Sequence, residues 1–195
     1  MITAEQVKTL RDQTGAGMME CKHALSETGG DSEKALRLLR ERGVASAAKK
    51  AGREVNEGRV GAYIHAGGQI GVLLELSCET DFVARTPQFQ QLLEEISMQI
   101  AASNPSYIRR EEVPPDRVAE ERAILEKQVD PRKPPQIRGK IIDGKINSFY
   151  EQVCLLDQVY IRDSKKKVQD LLTEAVASIK ENIVIRRYVR FAIKE

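Results

Sequence analysis

Between residues 60 and 76 the chain alternates with a period of two, and this stretch limits the fold more than any other. Val60, Ala62 and Ile64 alternate with Gly61, Tyr63 and His65, and Ile70, Val72, Leu74 and Leu76 alternate in the same way after Gly67-Gly68. Two such runs around a glycine-containing loop form an antiparallel hairpin. Its apolar set, read as Val60, Ala62 and Ile64 with Ile70, Val72, Leu74 and Leu76, makes one face of a sheet covered on one side. The C-terminus alternates again. Ile183, Ile185, Val189, Phe191 and Ile193 fall on one side of a strand, with Arg186, Tyr188 and Arg190 on the other. This strand is expected to join the hairpin in one antiparallel sheet.

The remaining periodicity is helical. Thr3 is placed to cap a first helix, with Gln6 at the capping-box position and Val7 and Leu10 on one face. Thr14-Gly15-Ala16-Gly17 interrupts it. A second helix from Met18 turns Cys21, Ala24 and Leu25 inward. After Gly29-Gly30, Asp31 caps a third helix whose stripe is Ala35, Leu38 and Leu39 and whose pattern ends at Gly43. Residues 44–56 have no large apolar residue after Val44 and read as a linker or an exposed helical turn. Thr86-Pro87 opens a helix carrying Phe89, Leu92, Leu93, Ile96 and Ile100, which Asn104-Pro105 stops. Residues 115–129 form a charged helix with a narrow stripe of Val118, Leu125 and Val129. Ile137, Ile141 and Ile142 begin another towards Phe149, and residues 165–181 a last one with Val168, Leu171, Leu172, Ala175 and Ile179. The expected fold is α+β: a three-helix module over residues 1–54 with its linker, then a core over residues 55–195 with a small antiparallel sheet covered by helices.

Charge and composition exclude several classes. Acids and bases interleave, and the net charge is only +2 although 31% of residues are charged, so a diffuse grip on nucleic acid lacks its basic excess. Cys21, Cys78 and Cys154 are far apart without a C-x-x-C pair, which argues against a thiolate metal site and for a reducing compartment. The N-terminal stretch lacks the apolar segment of a signal peptide. No apolar run approaches the roughly 20 residues that span a bilayer. The expectation is a cytoplasmic protein without a membrane segment. Neither G-x-x-x-x-G-K-[ST] nor G-x-G-x-x-G occurs, so no nucleotide site of its own is expected. His23 and His65 are distant from each other, and Glu20 and Glu27 lack partners for a metal. No catalytic residue, metal or cofactor is expected, and the chain reads as something other than an enzyme.

Two stretches are distinctive. One is Leu10-Arg11-Asp12-Gln13-Thr14-Gly15-Ala16-Gly17-Met18-Met19-Glu20-Cys21-Lys22-His23-Ala24-Leu25. The other is Ser77-Cys78-Glu79-Thr80-Asp81-Phe82-Val83-Ala84-Arg85. Both resemble signature segments of the elongation factor Ts family. The likeness continues through Ala47-Ala48-Lys49-Lys50-Ala51-Gly52-Arg53, Lys133-Pro134-Pro135 and Gly144-Lys145-Ile146, and so covers essentially the whole chain. It implies a UBA-like N-terminal module and an α+β core that binds elongation factor Tu and promotes GDP release. Thr80, Asp81, Phe82 and Val83 would insert near the partner's magnesium site and dislocate the ion. Arg11, Met18 and Met19 would face the partner's nucleotide-binding domain. Longer family members carry two core subdomains, whereas only one hairpin copy is visible here, so a homodimer is expected to complete the platform.

From the residues alone, Phe82 reads either as a core aromatic at a strand–helix junction or as an exposed wedge. Met18 and Met19 point about 100° apart on a helix, so they do not both face the same small core: either one is exposed as a soft docking surface or both are half-covered by the module itself. Two rival functions have sequence support. The strand Arg186-Arg187-Tyr188-Val189-Arg190-Phe191 has the basic and aromatic character of an RNA-stacking surface, although Tyr188 and Phe191 alternate onto opposite faces. The three-helix module suggests a ubiquitin-binding adaptor, which leaves Thr80–Arg85 without a role.

Overall fold

The computed structural model describes residues 2–193. Helices α1 (Ala4–Thr14), α2 (Met18–Glu27) and α3 (Ser32–Lys50) come first. Strands β1 (Glu57–Ile64) and β2 (Ile70–Cys78) form the hairpin, followed by a short helix α4 (Asp81–Ala84) and by α5 (Pro87–Ser103). Helices α6 (Pro115–Gln128) and α7 (Pro135–Val153) follow and pack against each other. The chain closes through β3 (Val159–Tyr160), β4 (Asp163–Lys167), α8 (Val168–Ile179) and β5 (Ile183–Ala192). The fold is α+β, with one three-stranded antiparallel sheet in the order β1-β2-β5 and a small β3-β4 ribbon. Among the described residues, no helix is long and apolar enough to cross a membrane.

The helix starts follow the capping chemistry of the sequence. Thr3 Oγ1 accepts from the Gln6 N–H while Gln6 Oε1 accepts from the Thr3 N–H. Asp31 accepts from the Lys34 N–H, and Thr86 accepts from the Phe89 N–H beside Pro87. Val7, Leu10, Cys21, Ala24, Leu25 and Ala35 close a small core of their own. Asn104 adopts the left-handed conformation that ends α5.

Helix α3 does not stop at Gly43. It runs on through Ala45, Ala47 and Ala48 to Lys50, so most of the expected linker is helix. Alanine is the strongest helix former. Glycine at position 43 also lets α3 approach α8 closely, because a Cβ there would lie 3.3 Å from the Ala177 Cβ. The last helix starts later than the pattern suggested: residues 163–167 pair with β3 as strand β4, and α8 begins at Val168.

The face of the sheet is the larger correction. On β2, Val72, Leu74 and Leu76 are buried as expected. Their cross-strand partners on β1 are Tyr63, Gly61 and Arg59, so Val60, Ala62 and Ile64 point to the opposite, exposed face. Gly61 belongs to the covered face because β1 passes directly beneath Leu93 of α5. On β5, Ile183 and Ile185 face the core, but a register shift opposite Glu75 and Leu76 inserts one residue. Such a bulge reverses the alternation beyond it. Tyr188 and Arg190 therefore stand opposite Leu74 and Val72, and Val189, Phe191 and Ile193 turn outward, away from Ile185.

The covered face meets α5 and α8 in one core containing Phe89, Leu92, Ile96, Ile100, Leu155, Val168, Leu172 and Val176. A third cluster, Leu125, Val129, Ile142 and Ile146, holds α6 to α7. The arginines of the basic strand have local tasks. Arg186 donates to the Val55 carbonyl, Arg187 pairs with Glu75 at 2.7 Å, and Arg190 donates to the Ala101 carbonyl. Tyr188 is half-buried with its hydroxyl on the Pro105 carbonyl, and burial pushes its phenol up to about 12. The strand offers no stacking ladder.

The close approach at Gly61 is testable. Gly61→Ala would force a Cβ into the Leu93 side chain. Overpacking of this kind is destabilising by about 1–3 kcal/mol. Chemical denaturation should show a loss in that range, and Gly61→Ala combined with Leu93→Ala should lose less than the sum of the two single changes.

Candidate functional site

Strand β2 ends at Cys78, and the next residues leave the sheet as a short hydrogen-bonded tip. The Thr80 hydroxyl accepts from the Val83 N–H at 3.4 Å and so caps α4. Cys78 Sγ donates to the Thr80 carbonyl at 3.1 Å. Burial pushes the Cys78 thiol up to about 11, so it stays protonated and inert. Asp81 pairs with Arg85 one turn on, at 2.8 Å. Thr86 Oγ1 donates to the Val83 carbonyl and joins the tip to the start of α5.

Within this frame the four residues separate. Ala84 is buried and Val83 packs half-buried against the core. Thr80 lies at the surface, Asp81 is half-exposed, and Phe82 is 78% exposed. Phe82 is therefore not the core aromatic of a strand–helix junction; Phe89 occupies that place and is fully buried. The Phe82 ring thus stands in solvent on a capped turn.

The other signature segment lies at the start of α2. Gly15 takes the left-handed conformation and ends α1. Thr14 Oγ1 donates to the Leu10 carbonyl and accepts from the Ala16 N–H, so the glycine-containing turn is tied down. Met18 and Met19 are both exposed, so neither is half-covered by the module. Flexible thioethers in such a place suit a soft docking surface. Arg11 lies exposed in the last turn of α1. Glu20 accepts from the Gly17 N–H at 3.0 Å and pairs with Lys180 at 2.9 Å. Glu27 pairs with Arg42 at 2.6 Å.

The residues that hold the tip lie far away in sequence. Glu181 Oε2 accepts from the Glu79 and Thr80 N–H groups at 3.1 and 3.0 Å, and its Oε1 accepts from the Thr80 hydroxyl at 2.7 Å. Glu79 in turn accepts from the Asn182 N–H at 2.6 Å and pairs with Arg53. The buried Asn182 amide donates to the Arg53 carbonyl at 2.9 Å and reaches the Ala51 carbonyl at 3.4 Å. Sequence reasoning missed Lys180, Glu181 and Asn182. Their only signal is a polar triplet between a helical pattern and a strand pattern, which reads as a turn.

Comparison with known proteins accounts for the pattern. A family model described as "Elongation factor TS" matches residues 33–195. The elongation factor Ts of Thermoanaerobacter sp. (strain X514) is 58% identical over 192 residues, covering 98% of this chain and 94% of the relative. Those of Thermodesulfovibrio yellowstonii and Geobacter metallireducens are 54% and 57% identical, over 98% and 100% of this chain and 96% and 90% of theirs. These sequence matches define a translation elongation factor. Within that class, the chain belongs to the elongation factor Ts family.

The Lys180 ammonium, and after it the Gly17 N–H, hold the Glu20 carboxyl below the ordinary glutamate range. A lowered folded value means that the contribution of the pair is complete above the ordinary range and is lost as pH falls through the lowered value. Both side chains are largely exposed, so the effect on stability is small. In an NMR titration of the side-chain carboxyls, Lys180→Met should move the Glu20 midpoint upward. An unmoved midpoint would leave the Gly17 N–H as the cause of the depression.

Proposed function

We propose that the protein is a guanine-nucleotide exchange factor for elongation factor Tu. Thr80, Asp81, Phe82 and Val83 form the group that disturbs the partner's magnesium and phosphate site. Arg11, Met18 and Met19 bind its nucleotide-binding domain. The exposure of Phe82 on a hydrogen-bonded tip carries this reading, together with membership of the family. Residues 1–54 serve as a UBA-like docking module and residues 55–195 as the core that presents the tip and dimerises. The protein works in the cytoplasm, without a cofactor and without direct contact to nucleic acid or membrane.

The mechanism needs differential binding, not bond chemistry. Magnesium and phosphate contacts lock GDP in place. A wedge that fits only when those contacts are displaced binds the nucleotide-free partner better than the loaded one. By linkage, the coupling free energy that weakens GDP binding also weakens binding of the factor when GDP is present. Phe82 supplies the part of the interface that differs between the two states. Met18, Met19 and Arg11 supply affinity common to both. The factor leaves again once nucleotide returns, and it does not choose between GDP and GTP.

Release of fluorescent GDP from elongation factor Tu tests this reading. Substoichiometric protein should accelerate release many-fold. Phe82→Ala should reduce that acceleration strongly while changing stability by no more than about 0.5 kcal/mol, as for other surface substitutions. A protein that leaves GDP release unchanged overturns the assignment, and full activity of Phe82→Ala overturns the role of the tip.

Dimerisation is supported by the outer face of the sheet. Val60, Ile64, Leu73, Val189, Phe191 and Ile193 are all exposed there, side by side across three paired strands. A contiguous apolar face on a soluble chain favours association, and a two-fold pair buries the same patch from both copies. Two copies packed face to face also present two tips. Light scattering at micromolar concentration should give twice the 21.9 kDa chain mass. Phe191→Glu should shift the species towards one chain mass; a wild-type protein that is monomeric and fully active would contradict the dimer.

A further inference from the structure

The turn between α8 and β5 touches both segments that the proposed function assigns to the partner. Lys180, in the left-handed conformation, ends α8 and reaches Glu20 at the start of α2, next to Met18 and Met19. The next residue, Glu181, receives three hydrogen bonds from Glu79 and Thr80 at the base of the Phe82 tip. The residue after that, Asn182, donates its backbone N–H to Glu79 and its side-chain amide to the chain leaving α3. Three consecutive residues thus join the first module, the end of α3 and the tip.

These contacts differ in strength. The Lys180–Glu20 pair is largely exposed, and exposed pairs contribute little. The Glu181 carboxylate instead uses both oxygens on three donors, and hydrogen bonds to a charged acceptor are about twice as strong as neutral ones. It is also the only side chain among the described residues to accept from both the Glu79 and the Thr80 N–H, two donors left unpaired where β2 leaves the sheet. Removing it frees the Thr80 hydroxyl as well, and that hydroxyl caps α4.

We propose that Glu181 is a positioning residue for nucleotide exchange: it fixes the base of the tip so that Phe82 is presented in one orientation. It touches neither nucleotide nor magnesium and acts only through Thr80. The inference rests on the tip reading above. A tip with the same residues but a loose base still allows docking through Met18 and Met19, yet spends less time in the orientation that displaces the partner's contacts. The loss therefore falls on the maximal rate of release and not on the concentration needed for half-maximal effect.

The test uses the full chain with Glu181→Ala, Glu181→Gln and, in parallel, Phe82→Ala. Backbone amide exchange in the free protein reads the brace directly and does not depend on any partner. Glu181→Ala should raise exchange at the Glu79 and Thr80 amides by about tenfold, the order expected for loss of a hydrogen bond to a charged group. The maximal rate of GDP release from elongation factor Tu should fall by a similar factor, with the half-saturating concentration changed less than about twofold. Glu181→Gln keeps one acceptor oxygen and should recover part of both effects; it also carries the test if Glu181→Ala fails to fold. Unchanged amide exchange in both variants overturns the brace. Faster amide exchange with an undiminished maximal rate overturns the positioning role, provided Phe82→Ala is slow. If Phe82→Ala is itself fully active, the tip reading fails and takes the positioning role with it, whatever the amides show.

Discussion

Burial of one face of the three-stranded sheet beneath α5 and α8 is the contact from which the rest of the arrangement follows. Val72, Leu74 and Leu76 on the central strand meet Phe89, Ile96 and Ile100 from α5 and Val168, Leu172 and Val176 from α8. Burial of a large aliphatic or aromatic side chain contributes about 1.5–3 kcal/mol, so this cluster outweighs any of the polar contacts around it. It fixes the direction in which β2 leaves the sheet and where α8 ends. The end of β2 and the end of α8 then lie close enough for Glu181 to reach Thr80 across 101 positions of sequence.

The polar contacts serve a different purpose. Most ion pairs among the described residues are exposed on both sides, among them Arg42–Glu27, Arg85–Asp81 and Arg122–Asp143. Pairs of this kind contribute at most about 1 kcal/mol each. The network of Glu79, Glu181 and Asn182 is more enclosed and satisfies backbone groups that the sheet leaves behind. On the reading proposed above its value lies in orientation: it defines the base of the capped turn that carries Phe82. Rigid support of this sort is what a contact residue needs to act as a wedge.

Among the exposed apolar side chains are the single ring of Phe82 and those of the outer sheet face around Phe191. They differ in form. The first is a single ring flanked in sequence by the polar Thr80, Asp81 and Arg85. The second extends across three paired strands. Neither competes with the other for space, since the tip follows the Cys78 end of β2 and the Phe191 end of β5 lies beside Gly71, at the opposite end of the same strand.

Much of the local structure was legible in the residues. Thr3, Asp31 and Thr86 cap helices as their side chains dictate, and Asn104 ends α5, because these choices depend on neighbours within four positions. The family was legible in Leu10–Leu25 and Ser77–Arg85 for the same local reason. The sequence could not say which face of β1 is covered, since a period of two is the same whichever side meets the helices; Gly61 beneath Leu93 settles it. Nor could alternation reveal the bulge that turns Val189, Phe191 and Ile193 outward, because one inserted residue leaves no mark in composition. The exposure of Phe82 and its support by Glu181 were decided only by tertiary structure: two carboxylate oxygens meet donors more than a hundred positions away, and no pattern within a helix turn or a strand pair encodes that distance.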